Sequence, residues 1–228
     1  MATSPSVEGA KRIQDRLKIR VELANRFGSL QTVGGLDISY NRFSQKAAGA
    51  LTVFRLSDLS PIETVTAVRK MEFPYVPGYL AFREGPVLLS AFEKINREPD
   101  VLLFDGHGIA HPNRFGIACH MGVLLDIPSI GCAKSPLVGE FQMPGESRGS
   151  RENLRHEGET VGVVYRSRTG VKPIFISPGH RIDLETSLEI VAQCIGKHRI
   201  PVPTREAHAA ANETRRSELT PPRESRRP

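Results

Sequence analysis

Apolar and polar positions alternate with two different periods along this chain, and the changes of period divide it into elements. Ile13, Leu17, Val21 and Ala24 recur at helical spacing, which predicts an amphipathic helix over Lys11 to Arg26 that stops near Phe27-Gly28. Three β-rich runs follow in quick succession: Val33 to Tyr40, Ala48 to Phe54 and Ile62 to Val68. Their short polar connections, including a turn at Asp58 to Pro61, predict an antiparallel meander. The pattern then alternates: a helix from about Pro86 to Asn96, a strand Val101 to Phe104, a helix near Phe115 to Leu125, and a strand Ser129 to Ala133. Alternation of this kind builds parallel pairing. Gly139 to Glu159 is rich in Gly, Glu and Arg and lacks periodicity, so it reads as a mobile surface segment. Val161 to Arg166 and Pro173 to Ser177 flank a turn at Thr169-Gly170 and read as a hairpin. Asp183 opens a helix with Leu184, Leu188, Val191 and Ile195 on one face, and Thr204 can cap a last helix through about Asn212. The order predicts an α/β fold, a mixed sheet flanked by helices, as a single domain over residues 1–212 with a disordered basic tail over residues 213–228.

Four apolar residues in a row, Val101 to Phe104, read as a central strand covered on both faces, and the strand ends on Asp105-Gly106-His107-Gly108. An ionised Asp beside such a run is costly unless its charge is compensated, and a bound divalent cation is one compensator. A turn cap before Gly106 is the other reading. Asp37 interrupts the first β run, where alternation can place it on a wet face with Gly35 and Ser39 or aim it at an ion. Adjacent parallel strands ending in Asp37 and Asp105 would bring two carboxylates within reach of one ion, an arrangement that resembles the ribonuclease H-like nuclease site. Glu84, at the start of the helix introduced by Gly85-Pro86, can supply a third oxygen or simply serve the helix N-terminus. Three carboxylates without a thiolate suit Mg²⁺ or Mn²⁺ better than zinc.

Charge narrows the partner. The 228 residues carry a formal net charge of +6, which favours a polyanion. Arg12, Arg16 and Arg20 align on one face of the first helix, where they can track phosphates or form a solvated face, and further arginines crowd the tail from Arg215 onward. No apolar run approaches the length needed to cross a bilayer, and Met1 to Ala10 lack the apolar core of a secretion signal, so a cytoplasmic protein with no membrane partner is expected. Cys119, Cys132 and Cys194 sit in apolar sequence without metal-binding spacing, which suits buried free thiols.

The segments Phe73-Pro74-Tyr75-Val76-Pro77-Gly78-Tyr79-Leu80-Ala81-Phe82-Arg83-Glu84 and Asp105-Gly106-His107-Gly108-Ile109-Ala110-His111-Pro112-Asn113-Arg114-Phe115-Gly116 resemble the endonuclease V family, and the resemblance covers roughly Val33 to His208. It implies a ribonuclease H-like fold, a divalent cation, and hydrolysis of the second phosphodiester 3′ of hypoxanthine, leaving 3′-hydroxyl and 5′-phosphate ends. It makes Asp37, Glu84 and Asp105 the metal-binding carboxylates, Lys134 the lysine at the scissile phosphate, and His208 a histidine near the metal. Tyr75, with Val76, Pro77 and Gly78, corresponds to the family's wedge into the duplex. Leu80, Gly106, His111, Gly116 and Ile117 correspond to its lesion pocket. The implied partner is DNA containing deoxyinosine, or inosine-containing RNA read by the same pocket, and the protein is expected to act as a monomer. The resemblance does not extend to the tail after His208 or to Gly139 to Glu159.

Overall fold

The computed structural model describes residues 4–41 and 44–219. Helix α1 spans Val7–Lys18. The meander follows as β1 (Thr32–Tyr40), β2 (Lys46–Arg55) and β3 (Pro61–Lys70). Then come α2 (Leu80–Phe92), β4 (Val101–Phe104), α3 (Ile117–Leu125) and β5 (Ser129–Ala133). The chain continues through β6 (Arg151–His156), β7 (Glu159–Tyr165), β8 (Ile174–His180), α4 (Leu184–Gln193) and α5 (Val202–Glu218). All strands join one sheet in the order β3-β2-β1-β4-β5-β8-β7-β6. The central pairs β1–β4 and β4–β5 are parallel and the rest antiparallel, which is the mixed sheet the alternation predicted.

The pleat of β4 shows why its run is continuous. Val101 and Leu103 join a core closed by α4, with Leu188 and Val191, whereas Leu102 and Phe104 join a second core closed by α2 and α3, with Val87, Leu88 and Met121. All three cysteines are buried and free.

Four sequence expectations need correction. Helix α1 starts earlier, where the Ser6 side chain accepts the Gly9 N–H at 3.1 Å, and it ends at Lys18. Residues 22–26 instead bond Arg181, with its N–H on the Glu22 carbonyl at 2.7 Å and its carbonyl accepting from Arg26 at 3.2 Å, and this long-range pairing displaces the helix that the spacing of Val21 and Ala24 suggested. Arg20 therefore leaves the stripe of Arg12 and Arg16. Helix α2 begins at Leu80, so Pro86 lies inside it and Glu84 lies on its second turn, away from the helix start. The segment expected to be mobile contains β6, paired with β7 through a tight turn in which Glu157 and Gly158 both have positive φ (52° and 82°). Helix α5 runs on to Glu218 because Ala207, Ala211 and Thr214 continue its buried stripe, so residues 213–218, expected in the tail, are helical. Residues 220–228 lie outside the described residues.

Candidate active site

Register fixes the first two carboxylates. Leu36 of β1 pairs with Phe104 of β4, and one residue on, where that pairing ends, Asp37 inside β1 and Asp105 just past the end of β4 lie side by side. Asp37 itself stays in the sheet opposite Ala50 of β2, so it is a mid-strand and not a strand-end carboxylate. Asp37 shares its face of β1 with Gly35 and Ser39, and that face is covered by α5 and is not wet. A Cβ on Gly35 would lie 2.1 Å from the Pro203 carbonyl carbon, so only glycine lets the start of α5 approach this strand. The Ser39 hydroxyl donates to Asn212 at 2.7 Å and accepts from Arg215 Nε at 2.8 Å. Between these two anchors His208 Nδ1 meets Asp37 Oδ2 at 2.6 Å. Facing a carboxylate, Nδ1 is the protonated nitrogen. Lys134, the residue after β5, donates its ammonium to Asp105 Oδ2.

Glu84 completes the group from α2. Its carboxyl is pushed up to about 8, chiefly because burial disfavours the charged form and then because Asp37 and Asp105 repel it; neighbouring Arg83 offsets only part of this. Asp37 is also raised, by burial first and by Asp105 second, and these outweigh the hydrogen bond from His208. Burial works against the Lys134 charge, yet the hydrogen bond and charge of Asp105 hold its ammonium above the ordinary value. Three hard oxygen donors thus crowd one partly buried corner. Among the described residues no group of three or more His, Cys, Asp and Glu side chains is already arranged around an ion position; Asp37 and Asp105 are turned to His208 and Lys134. The chemistry of the donor set still fits a hard dication, which would relieve the repulsion that raises Glu84 and Asp37.

All nine residues expected at the substrate line one cavity of about 150 Å³: Tyr75, Val76, Pro77, Gly78, Leu80, Gly106, His111, Gly116 and Ile117. Ala81, His107, Phe115 and Leu137 complete its wall. Because Gly106 follows Asp105, the cavity adjoins the carboxylates. Gly78 has φ +82° and lets the loop of Tyr75, between β3 and α2, turn into the helix. Tyr75 itself is 68% exposed, a large aromatic ring with little of its own chain to cover it. His111 is buried and held down at about 4, because burial disfavours the imidazolium and His107 adds repulsion. Its Nδ1 accepts the Asn113 N–H at 3.1 Å, so the neutral ring carries its proton on Nε2. A larger cavity of about 250 Å³, lined among others by Arg69, Phe73 and His120, shares only Ala81 with the first and touches none of the carboxylates.

Two supports escaped the sequence reading. Arg199 donates to the Lys134 carbonyl at 2.7 Å and the Pro173 carbonyl at 2.5 Å, tying the end of β5 to the loop before α5. Gln14 of α1 is buried against the end of the Tyr75 loop, at Gly78. Arg199 stood in a segment with no periodic signal. Gln14 did carry one, a polar residue at i+4 from Ala10 and i−3 from Leu17 on the buried face.

A family model described as Endonuclease V matches residues 15–209. An endonuclease V of Dictyoglomus turgidum is 44% identical over 212 residues, which cover 93% of this chain and 92% of that protein. The crystal structure of an endonuclease V from Streptomyces avermitilis superimposes with a TM-score of 0.90 at 37% identity, covering 95% of this chain and 96% of that one. An endonuclease V from Ciona intestinalis, crystallised with a 24mer DNA containing an inosine followed by a ribo-adenosine, has a TM-score of 0.81 at 29% identity and covers 91% of this chain and 96% of its own. The ribonuclease H-like fold expected from neighbouring strands that carry Asp37 and Asp105 is the fold shared with these structures. Agreement in sequence over most of the chain, joined to agreement in fold, settles the kinship: the chain belongs to the endonuclease V family.

Proposed function

We propose that this chain is a divalent-cation-dependent DNA repair endonuclease that recognises deoxyinosine and hydrolyses the second phosphodiester bond 3′ to it, leaving 3′-hydroxyl and 5′-phosphate ends. The observation that carries this reading is the cavity of base-sized volume, with its exposed Tyr75 and glycine-lined wall, beside Asp37, Glu84 and Asp105. Mg²⁺ or Mn²⁺ bound by these three carboxylates would activate water and neutralise charge developing on the phosphate. Lys134 adds a positive charge at the same corner, paired with Asp105. His208 orients Asp37 through its Nδ1 hydrogen bond.

Base recognition rests on different groups. Tyr75, stiffened by Pro74 and Pro77, stacks where the base has left the helix, and the glycines let backbone groups approach the flipped base. Hypoxanthine differs from adenine at position 6, so backbone donors to its oxygen and acceptors for its N1 proton discriminate the two. His111, neutral at physiological pH, lines the wall without adding a charge. The net charge of +6 supplies sequence-independent attraction to phosphates. Among the described residues no helix is long and apolar enough to cross a membrane. The protein is proposed to act as a monomer in the cytoplasm.

A second reading, cleavage of inosine-containing RNA on the same scaffold, is favoured by the ribo-adenosine in the DNA bound to the Ciona protein. Nicking of matched DNA and RNA oligonucleotides carrying one inosine, with and without Mg²⁺, tests both readings. Asp37→Ala, Glu84→Ala and Asp105→Ala should each abolish turnover while leaving the thermal midpoint near that of the parent. A variant that keeps most of its nicking rate in Mg²⁺ removes that residue from the ligand set.

A further inference from the structure

Helix α1 contributes nothing to the carboxylate corner, yet one of its polar side chains is 1% exposed: Gln14, on the face it shares with Ala10 and Leu17. A packing position there would suit an apolar residue, since a buried amide is costly unless its donors and acceptor are used. Here they are used. Gln14 Nε2 donates to the Gly78 carbonyl and to the Phe115 carbonyl, each at 3.2 Å, and Gln14 Oε1 accepts from Asn113 Nδ2 at 2.6 Å. Two carbonyls on one side and an amide donor on the other leave a single orientation for the side chain.

Two of the three partners, Gly78 and Phe115, line the cavity, and the third, Asn113, stands behind its wall. Gly78 ends the loop that carries Tyr75 into α2, whereas Asn113 and Phe115 lie in the loop that carries His111 into α3. Asn113 also gives its backbone N–H to His111 Nδ1, so the residue that Gln14 grips sets the orientation of that imidazole. The opposite edge of the ring faces Gly78, close to where a Cβ on that glycine would come within 3.8 Å of His111 Nε2. One amide therefore fixes the separation of the Tyr75 and His111 loops. Gln14 lies one residue before the stretch matched by the family model.

We infer that Gln14 is a positioning residue of the base pocket, holding the Tyr75 loop and the His111 loop at a fixed spacing so that the pocket exists before nucleic acid arrives. The inference rests on the assignment of this cavity to the flipped base. Its energetic logic is preorganisation: a loop already in place loses less entropy on binding.

Gln14→Met keeps the length of the side chain and removes its donors and acceptor. Single-turnover nicking of an inosine duplex, followed over a range of protein concentrations, should show half-saturation weakened by roughly tenfold while the rate at saturation stays within about twofold. In a Tyr75→Ala background the same substitution should cost less than about twofold, because the loop it holds has lost its ring. An unchanged half-saturation, a loss confined to the saturated rate, or an equal loss in the Tyr75→Ala background each overturns the inference. If Gln14→Met does not fold, as judged by circular dichroism, Asn113→Ala removes one partner and leaves α1 intact, with the same expectations. A parent protein that fails to nick inosine duplexes sinks the proposed function; a parent that nicks them indistinguishably from Gln14→Met sinks only this inference.

Discussion

Gly35→Ala places a methyl group where β1 and the start of α5 touch. The added carbon would stand 2.1 Å from the Pro203 carbonyl carbon, 2.3 Å from its oxygen and 2.5 Å from the Thr204 nitrogen, all backbone atoms that cannot rotate away. Restoring ordinary contact requires α5 to retreat by about an ångström or more. His208, on the second turn of α5, then withdraws from Asp37, whose 2.6 Å contact has little room before it ceases to be a hydrogen bond. Overpacking of this kind costs about 1 to 3 kcal/mol, which leaves a domain of this size folded. An ångström of misplacement in a catalytic constellation costs on the order of a hundredfold in rate. Urea denaturation and single-turnover nicking of an inosine duplex are the two assays, with His208→Ala as reference. The substitution should lower the rate far more than 1 to 3 kcal/mol of lost stability explains at temperatures where the protein stays folded. Combined with His208→Ala it should cost little beyond the single variant. A Gly35→Ala protein with the parental rate, or a double variant with fully additive losses, would refute the argument that α5 acts on Asp37 through His208.

Tyr75→Ala should reduce nicking of duplex DNA by roughly ten- to a hundredfold, the worth of stacking one base, and should affect single-stranded substrate much less; equal losses on both would mean the ring serves the pocket or the fold. Stability should also follow pH in a defined window. His111 and His120 are both held down at about 4 because burial disfavours their charged form, against an ordinary value of 6.5. A histidine with a depressed folded value contributes stability that is present above about 6.5 and lost as pH falls toward 4, on the order of 3 kcal/mol for each group. The parent's profile also carries Glu84, raised from 4.5 to about 8, whose contribution runs the other way and is lost as pH rises through about 8. The histidine part is therefore read by difference: His120→Phe, whose ring can pack against Phe82 and Phe115, should match the parent's slope above pH 6.5 and lose less stability than the parent below it. An identical loss in that variant would assign the acid sensitivity to other groups.

Several parts of the site were legible without coordinates because they depend on local order. The apolar run of β4 locates Asp105 at a strand end, and the strands it sits among followed from period alone. The motif from Phe73 to Glu84 was legible as a resemblance, and Tyr75 to Gly78 and Leu80 from it do meet at one cavity. Its secondary structure was misread, since Gly85-Pro86 looked like a helix start and α2 had begun at Leu80. Local propensity allows a proline early in a helix at the loss of one hydrogen bond, and the packing of Ala81, Val87, Leu88 and Ala91 decided the matter.

The sequence by itself determined the order of the elements from β1 to β5, the place of Asp105 at the end of β4 and the basic balance of the chain, because periodicity and charge are properties of neighbours along the backbone. Only the tertiary structure decided what each face meets. Alternation placed Asp37 with Gly35 and Ser39, and could not say that α5 covers all three. Helical spacing put Gln14 with Ala10 and Leu17, and could not say that Gly78, Asn113 and Phe115 wait there. The end of α1 was set by the Arg181 backbone and the length of α5 by the surface of β1 and β2, partners more than a hundred residues away in the chain. Contacts of that separation are chosen by the packing of the whole sheet, and no window along the sequence contains both sides of them.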